Sequence, residues 1–401
     1  MLEDKNVVVG VTGGIAAYKA VEIVSRLKKL GANVDIIMTE SATEFVKPLT
    51  FQSISHNPVY KDMFGTPNNW DVEHIALAKK ADLILVAPAT ANIIGKLANG
   101  IADDMLSTTL MATTAPVLLA PAMNKNMYQN SIVQANISYL QEHHYDIIEA
   151  DAGYLACGTV GKGRLPAPEE IVKQVVVRCL TDFDLSGRKV LITAGGTQES
   201  LDPVRYFGNH SSGKMGYSLA RVAQAKGADV SLVSAPTNLN KPAGVDLLEV
   251  KTAQEMYQQV LELQEEQDII IMAAAVADYR PSESSCQKIK KGSAELNLQL
   301  EATTDILYQL GQQKRDDQLL VGFAAETEDL LENAQQKLTN KRADFIVANN
   351  VLAEDIGFNS DSNQVIIISQ QKKKKIAKAD KLEIAIHIFD YILRKGFARE
   401  G

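Results

Sequence analysis

The chain runs through the same opening twice. Val7-Val8-Val9-Gly10-Val11-Thr12-Gly13-Gly14 and Lys189-Val190-Leu191-Ile192-Thr193-Ala194-Gly195-Gly196 are each an apolar run ending in paired glycines, the pattern of a buried strand that feeds a tight turn. Downstream, Gly31-Ala32-Asn33-Val34-Asp35-Ile36-Ile37 matches Gly227-Ala228-Asp229-Val230-Ser231-Leu232-Val233, the helix-to-strand return of each unit. Two nucleotide-type α/β domains follow. Their spacing differs: 18 positions separate Gly13 from Gly31 and 32 separate Gly195 from Gly227, so the second copy carries 14 extra residues, Leu201 to Lys214. That insert is polar and turn-rich, and it falls where an open α/β sheet keeps its ligands.

The rest of the chain repeats the alternation. Strands are expected at Val7 to Val11, Val34 to Met38, Leu83 to Ala87 and Val117 to Ala120, with helices such as Ala16 to Leu30 between them. A second series comes at Val190 to Thr193, Val230 to Val233, Ile269 to Ala273, Leu319 to Gly322 and Phe345 to Ala348. Both series read as doubly wound, Rossmann-like or flavodoxin-like α/β domains with mostly parallel sheets. After a helix at Ile171 to Leu180, the turn formers of Thr181 to Gly187 read as a linker, giving domains at 1–184 and 185–401. Val365 to Ile368 followed by Gln370 to Ile376 reads as a hairpin with a basic tip, Lys372 to Lys375, whose plain role is a solvated turn.

Charge and cysteine content remove several function classes. The net charge of −8 divides as 15 basic against 20 acidic residues through Asp184 and 26 against 29 beyond it. Neither half is a bulk polyanion binder, so nucleic acid is not an expected partner. Three cysteines without a Cys-x-x-Cys pair argue for a reducing compartment and against a zinc site. No apolar run long enough for a membrane span and no leader pattern is present, and a cytoplasmic, soluble protein is expected.

The glycine turns do not fit the dinucleotide fingerprint Gly-x-Gly-x-x-Gly, and alone they say only that a phosphate could sit at the following helix N-terminus. Sharper signals come from Ala87-Pro88-Ala89-Thr90-Ala91-Asn92, Pro121-Ala122-Met123-Asn124 and Gly153-Tyr154-Leu155-Ala156-Cys157-Gly158, polar or thiol groups at strand ends or in small-residue loops. Gly208 to Lys214 satisfies Gly-x-x-x-x-Gly-Lys, but Met215 holds the Ser/Thr position and the stretch begins well past its strand. It reads as a glycine-serine nest before a helix starting near Met215, with Lys214 able to meet a phosphate. A lone His at a helix start is ordinarily a cap or surface residue, a lone buried Cys is ordinarily core, and an i,i+4 lysine pair such as Lys337 and Lys341 is ordinarily solvated. Cys179 keeps the core reading, Cys286 receives no role, and His143 and His144 read as surface residues.

Those three motifs, with His74-Ile75-Ala76-Leu77, resemble the flavin-dependent cysteine decarboxylases. Asp202-Pro203-Val204-Arg205, Asn209 to Gly216, Ala273-Ala274-Ala275-Val276-Ala277-Asp278-Tyr279 and Lys288-Ile289-Lys290-Lys291 resemble the phosphopantothenate-cysteine ligases. Both in this order are similar to the bifunctional decarboxylase–ligase family of bacterial coenzyme A biosynthesis, over essentially the whole chain. The resemblance implies ligation of 4′-phosphopantothenate to L-cysteine with CTP and Mg²⁺, then flavin-dependent decarboxylation of 4′-phosphopantothenoylcysteine to 4′-phosphopantetheine. A cysteinyl carboxylate has no adjacent electron sink, so FMN must oxidise the thiol carbon before carbon dioxide leaves and return the electrons afterwards.

By the same resemblance His74 is the base near the thiol, Asn124 holds the carboxylate and Cys157 donates the proton that completes reduction of the enethiol. FMN contacts fall to Gly13, Gly14, Thr39, Ala89, Asn92 and Ser107. In the second domain Asn209 holds the acyl intermediate and Lys288 the transferring phosphate. Ala273, Ala274, Ala275 and Asp278 fall to CTP, with Phe323, Lys337 and Lys341. Thr304, Asp305, Ile306 and Leu307 join them, although Thr304 stands where the family carries proline. Arg205, Ser211, Ser212, Gly213 and Lys214 are substrate or phosphate contacts, and no metal ligands are identified. The family also implies a homo-oligomer, with trimeric decarboxylase and dimeric ligase units forming up to a dodecamer. Competing readings are a pair of nicotinamide oxidoreductase domains, a non-catalytic regulatory flavoprotein, and a decarboxylase of another cysteine-terminated substrate.

Overall fold

The computed structural model describes residues 1–63, 72–154, 158, 160–291, 296–326, 330–350 and 360–396. Two compact units divide the chain, Met1–Leu180 and Thr181–Gly401.

In the first unit the β-branched runs form a sheet buried on both faces, the usual fate of continuous apolar strands. Its strands are β1 (Asn6–Val11), β2 (Asn33–Met38), β3 (Val59–Tyr60), β4 (Leu83–Ala89), β5 (Val117–Pro121) and β6 (Asp146–Ile147). They lie in the order β3-β2-β1-β4-β5-β6, all parallel. The Ala17–Lys29 helix shows why the chain winds back: Ala17, Ala20, Ile23, Val24 and Leu27 make one buried stripe, the spacing that 3.6 residues per turn requires. Gly31, at φ +94°, then ends it in the left-handed conformation that glycine adopts without strain. Because the order reverses between β1 and β4, a crevice opens at their carboxyl ends. A separate hairpin of β7 (Asp151–Tyr154) and β8 (Val160–Arg164), too short for sequence periodicity to reveal, follows β6.

The second unit repeats the winding with an extended edge. Its main strands are β9 (Lys189–Ala194), β12 (Asp229–Ser234), β13 (Asp246–Glu249), β14 (Ile269–Met272), β17 (Leu319–Glu326), β18 (Phe345–Asn350), β19 (Ser362–Ile368) and β20 (Lys373–Asp380). The order is β13-β12-β9-β14-β17-β18-β19-β20, parallel as far as β18 and antiparallel beyond it. β10 (Gln198–Ser200), just before the insert, pairs with β11 (Tyr206–Gly208) inside it, and after β14 a second ribbon joins β15 (Tyr279–Pro281) to β16 (Leu300–Ala302).

One expectation is corrected here. Only the first residue of the lysine run is at the hairpin tip: Lys373, Lys374 and Lys375 pair with Ile368, Ile367 and Ile366 inside β20, and the turn lies at Ser369 to Lys372, closed by Ser369 N–H donating to Lys372 O at 2.9 Å. β20 is an edge strand, and lysines along such an edge oppose pairing with another chain.

Candidate functional sites

Thr12, the last residue before the first glycine pair, fastens the crevice of the first unit. Its buried hydroxyl donates to Pro88 O at 2.7 Å and accepts from Thr90 N–H at 3.2 Å, tying the end of β1 to the turn after β4. Gly13 must be glycine, since a Cβ there would stand 2.4 Å from Ser41 Cβ and 2.9 Å from Ser41 C. A cavity of about 1300 Å³ opens above these turns, larger than the range for one drug-sized ligand and roomy enough for a flavin nucleotide beside a substrate.

Gly13, Gly14, Thr39, Asn92 and Asn124 all line that cavity. Thr39 and Asn124 also cap short helices, accepting from Ala42 N–H at 3.3 Å and Asn126 N–H at 2.8 Å. No side chain caps the Ala17–Lys29 helix, and its N-cap Ala16 with Tyr18 and Lys19 line the cavity, which puts a helix N-terminus, the end that favours an anion, at its wall. Lys19, which sequence reasoning missed, stands in the first turn of that helix and lines the same wall, its Nζ donating to Leu165 O at 3.2 Å. Burial, then the neighbouring Arg164, pushes its ammonium below the ordinary lysine range. Apolar Ile15, Met123 and Met127 complete a surface on which a flat ring system could rest.

Three expected residues do not line this cavity. Ala89 is buried in β4, and Ser107 is buried in a capping box with Asp104, whose oxygen Ser107 N–H meets at 2.8 Å. Burial would raise the Asp104 carboxyl, but hydrogen bonds from Lys96 and Ser107 outweigh it and hold Asp104 below its ordinary value. His74, half-buried, sits in the first turn of the Glu73–Lys80 helix, away from the cavity wall. Cys157 lies outside the described residues. Cys179 is partly rather than fully buried, and burial pushes its thiol up to about 12; Cys286 is exposed.

In the second unit a cavity of about 810 Å³ collects segments far apart in sequence. The insert supplies Asn209 and the run Ser211 to Lys214; Gly213, at φ +75°, N-caps the Lys214–Ala225 helix with no side-chain cap. Ala273, Ala274, Ala275 and Asp278 come from the turn after β14. That turn is held by Thr193 Oγ1 on Ala274 N–H at 3.1 Å and Thr197 Oγ1 on Ala277 N–H at 2.9 Å. Asn209 joins it too, its amide donating to Ala275 O at 3.3 Å and Val276 O at 3.1 Å.

The opposite wall holds Thr304, Asp305, Ile306 and Leu307, then Phe323, Lys337 and Lys341. The lysine pair is therefore not simply solvated: Lys337 Nζ donates to Phe323 O at 3.0 Å, and Lys341 bonds the Asp305 carboxylate. Asn349, Asn363 and Lys381 also line the cavity, and no sequence signal singled them out.

Arg205 and Lys288 fall outside this wall. Arg205 instead bonds the Asp202 carboxylate through its guanidinium and donates from Nη2 to Ile289 O at 2.7 Å. Asp202 also accepts from Val204 N–H and Arg205 N–H at 2.8 Å each and from Ile289 N–H at 3.1 Å. The Arg205 contact is the main reason its carboxyl lies well below the usual carboxylate range. The Asp-Pro-Val-Arg motif is thus a clamp on the backbone beside Lys288, and the Lys288 side chain itself is exposed. Among the described residues no group of three or more His, Cys, Asp or Glu is placed to hold a metal, and no helix is long and apolar enough to cross a membrane.

Two doubly wound units, each with a strand-end cavity that presents an uncapped helix N-terminus, define a two-site α/β protein of the nucleotide- and cofactor-binding class. Residues 1–180 match the family model described as Flavoprotein, and residues 185–395 match the DNA/pantothenate metabolism flavoprotein C-terminal domain. The chain is 50% identical to the coenzyme A biosynthesis bifunctional protein CoaBC of Bacillus subtilis over 98% of this chain and 97% of that protein. It is 43% identical to the protein of the same name from Haemophilus influenzae, over 98% of each. A solved C-terminal domain of a CoaBC is 41% identical, covering 52% of this chain and 95% of that one, with a TM-score of 0.45. The chain belongs to the family of bifunctional coenzyme A biosynthesis proteins.

Proposed function

We propose that the second unit joins 4′-phosphopantothenate to L-cysteine with CTP, and that the first unit decarboxylates the resulting 4′-phosphopantothenoylcysteine to 4′-phosphopantetheine. The observation that carries this reading is the convergence of the insert, the alanine turn, Thr304 to Leu307 and the Lys337/Lys341 pair on one cavity, within a chain of that family. The water-soluble phosphorylated substrates assign the work to the cytoplasm.

In the ligase, the substrate carboxylate attacks the α-phosphate of CTP, and pyrophosphate leaves with Mg²⁺. Cysteine's amine then attacks the acyl carbon and CMP departs. Such chemistry rests on positioning and charge neutralisation. Ser211, Ser212 and Gly213, with the helix N-terminus behind them, take phosphate oxygens. Small side chains at Ala273 to Ala275 let the nucleotide approach the backbone, and Asn209 steadies the acyl intermediate against that turn. Asp278, Phe323, Lys337 and Lys341 hold the nucleoside end. Mg²⁺ would neutralise charge on the triphosphate. Lys288, next to the backbone that the Asp202–Arg205 clamp holds at Ile289, serves the transferring phosphate.

The first cavity suits FMN: a phosphate fits at the Ala17–Lys29 helix N-terminus near Lys19, and a ring system fits over Ile15, Met123 and Met127. FMN held there would supply the two-electron oxidation of the cysteinyl thiol carbon and the return of those electrons once carbon dioxide has left. Asn124 holds the carboxylate, Cys157 gives a proton as the enethiol is reduced, and His74 takes the thiol-side proton. His74 does not line the cavity of its own chain, and a homo-oligomer with trimeric first units, flavin sites at their interfaces and second units paired as dimers is the assembly that the family suggests.

Incubating the purified chain with 4′-phosphopantothenate, cysteine and each nucleoside triphosphate in turn, followed by mass analysis, tests both halves. Phosphopantetheine formed with CTP is expected, from a protein that carries the yellow absorbance of FMN. Turnover of NAD(P)H by a colourless protein would overturn the reading.

A further inference from the structure

We propose that Asn363 is a ligand-contacting residue of the second-unit cavity, its side-chain amide donating a hydrogen bond to a phosphate oxygen of the nucleotide or of the acyl substrate. The inference rests on the reading of this cavity as the ligase site. Asn363 stands near the start of β19, where the pairing with β20 shifts register between Asn363 and Val365. Such a bulge re-aims a side chain, and bulges gather beside active sites. Asn363 is only 4% exposed, yet it forms part of the cavity wall.

The backbone at the bulge fixes which end of the amide remains for the cavity. Gln364 N–H donates to Asn363 Oδ1 at 2.9 Å, and turning the amide over would set its NH₂ against that N–H, donor against donor. The oxygen is therefore engaged, while Nδ2 donates to no acceptor among the described residues. A buried donor that has left water without gaining a partner destabilises the fold. A position that needed only packing would take an apolar side chain and avoid that cost. An acceptor that enters the cavity removes it.

The surroundings make that acceptor a phosphate oxygen. Two residues earlier, Asp361 Oδ1 lies 2.6 Å from Lys214 Nζ, which ties the approach to β19 to the start of the Lys214–Ala225 helix. Gly213, the N-cap of that helix, has no side chain to offer and lines the same cavity with Ser211 and Ser212. Asn363 thus shares its wall with a helix N-terminus, the end that favours an anion. A neutral amide adds a directed bond there without adding charge to a wall that already holds Lys214, and its bond to a charged phosphate is stronger than one between neutral groups.

Calorimetric titration of the full chain and of its Asn363→Ala and Asn363→Asp variants, with Mg-CTP and with 4′-phosphopantothenate in separate arms, tests this. Asn363→Ala should lose on the order of 10- to 100-fold in affinity for the ligand whose phosphate Asn363 meets, the scale of one hydrogen bond to a charged group. It should bind the other ligand as wild type does, so the arm that loses affinity identifies the ligand. Asn363→Asp keeps an acceptor for Gln364 N–H but turns an oxygen toward the phosphate, and it should bind that ligand no better than Asn363→Ala. Wild-type affinity of Asn363→Ala in both arms would overturn the proposal. So would an equal loss in both arms, the mark of a distorted cavity, or affinity restored in Asn363→Asp, which would leave the backbone contact as the residue's whole role. Should Asn363→Ala fail to fold, wild-type affinity of Asn363→Asp in both arms would overturn it alone. A wild type that binds neither CTP nor phosphopantothenate would overturn the ligase reading itself, and this inference with it.

Discussion

Thr12→Val removes one hydroxyl and keeps the outline of the side chain, so its effect isolates the fastening between β1 and the turn after β4. The hydroxyl sits at 2% exposure, donates to Pro88 O at 2.7 Å and accepts from Thr90 N–H at 3.2 Å. Valine leaves the Pro88 carbonyl without that donor in a buried setting, at about 1–3 kcal/mol. The Thr90 N–H is part-buried and costs less, which gives a total of about 2–3 kcal/mol. For a unit of this size each kcal/mol corresponds to roughly 2–4 °C, so the first unit's melting transition should fall by about 4–12 °C. Pro88 and Thr90 also line the cavity, and FMN retained through gel filtration should fall with it. Differential scanning calorimetry of the full chain, with and without added FMN, reads both effects. The second unit's transition should not move, and Thr12→Ser should restore the first. If Thr12→Val left the first transition and flavin retention unchanged, the hydroxyl would not be holding the crevice, and the cavity's shape would have to come from the glycine turn alone.

The other expectations concern the reactions. Cys157→Ser should still release carbon dioxide but accumulate the oxidised enethiol, because a serine hydroxyl is a far weaker acid than a thiol; mass analysis showing normal phosphopantetheine would remove Cys157 from that role. His74→Asn should keep flavin and ligase activity while decarboxylation drops on the order of 10²- to 10⁴-fold, and a parallel loss of the ligase would contradict two independent sites. Asn209→Asp turns a donor to Ala275 O and Val276 O into an acceptor and sets a charge near the acyl-phosphate, so CTP should be consumed to CMP without amide; ordinary amide yield would count against Asn209. Lys288→Gln should slow pyrophosphate release measured without cysteine by roughly 10²- to 10³-fold, whereas a defect confined to CTP affinity would make Lys288 a binding residue only.

What the sequence made legible, and what it hid, divides along a physical line. Long apolar runs and the repeated glycine turns carry strong periodic signals, and β1, β4, β9 and β14 stand where those signals put them, within a residue or two at each end. The ribbons β10–β11 and β15–β16 are three residues a strand, too short for any period to emerge. Function followed the same rule at the level of side chains. Motif residues on the turns that continue the strands, such as Gly13 or Ala273 to Ala275, reach a cavity because the sheet fixes where those turns go. Arg205 stood in an equally clear motif, but its direction was decided by the Asp202 carboxylate and the Ile289 carbonyl, the second of them on a segment more than eighty residues away. Lys381 failed to register for the opposite reason. It follows a run already rich in lysine, and only burial separates it from neighbours such as Lys378, which is exposed. Burial of a lysine is a property of the fold rather than of the local sequence, and at Lys381 it comes only with the start of the last helix tied by its backbone N–H to Asp361 O.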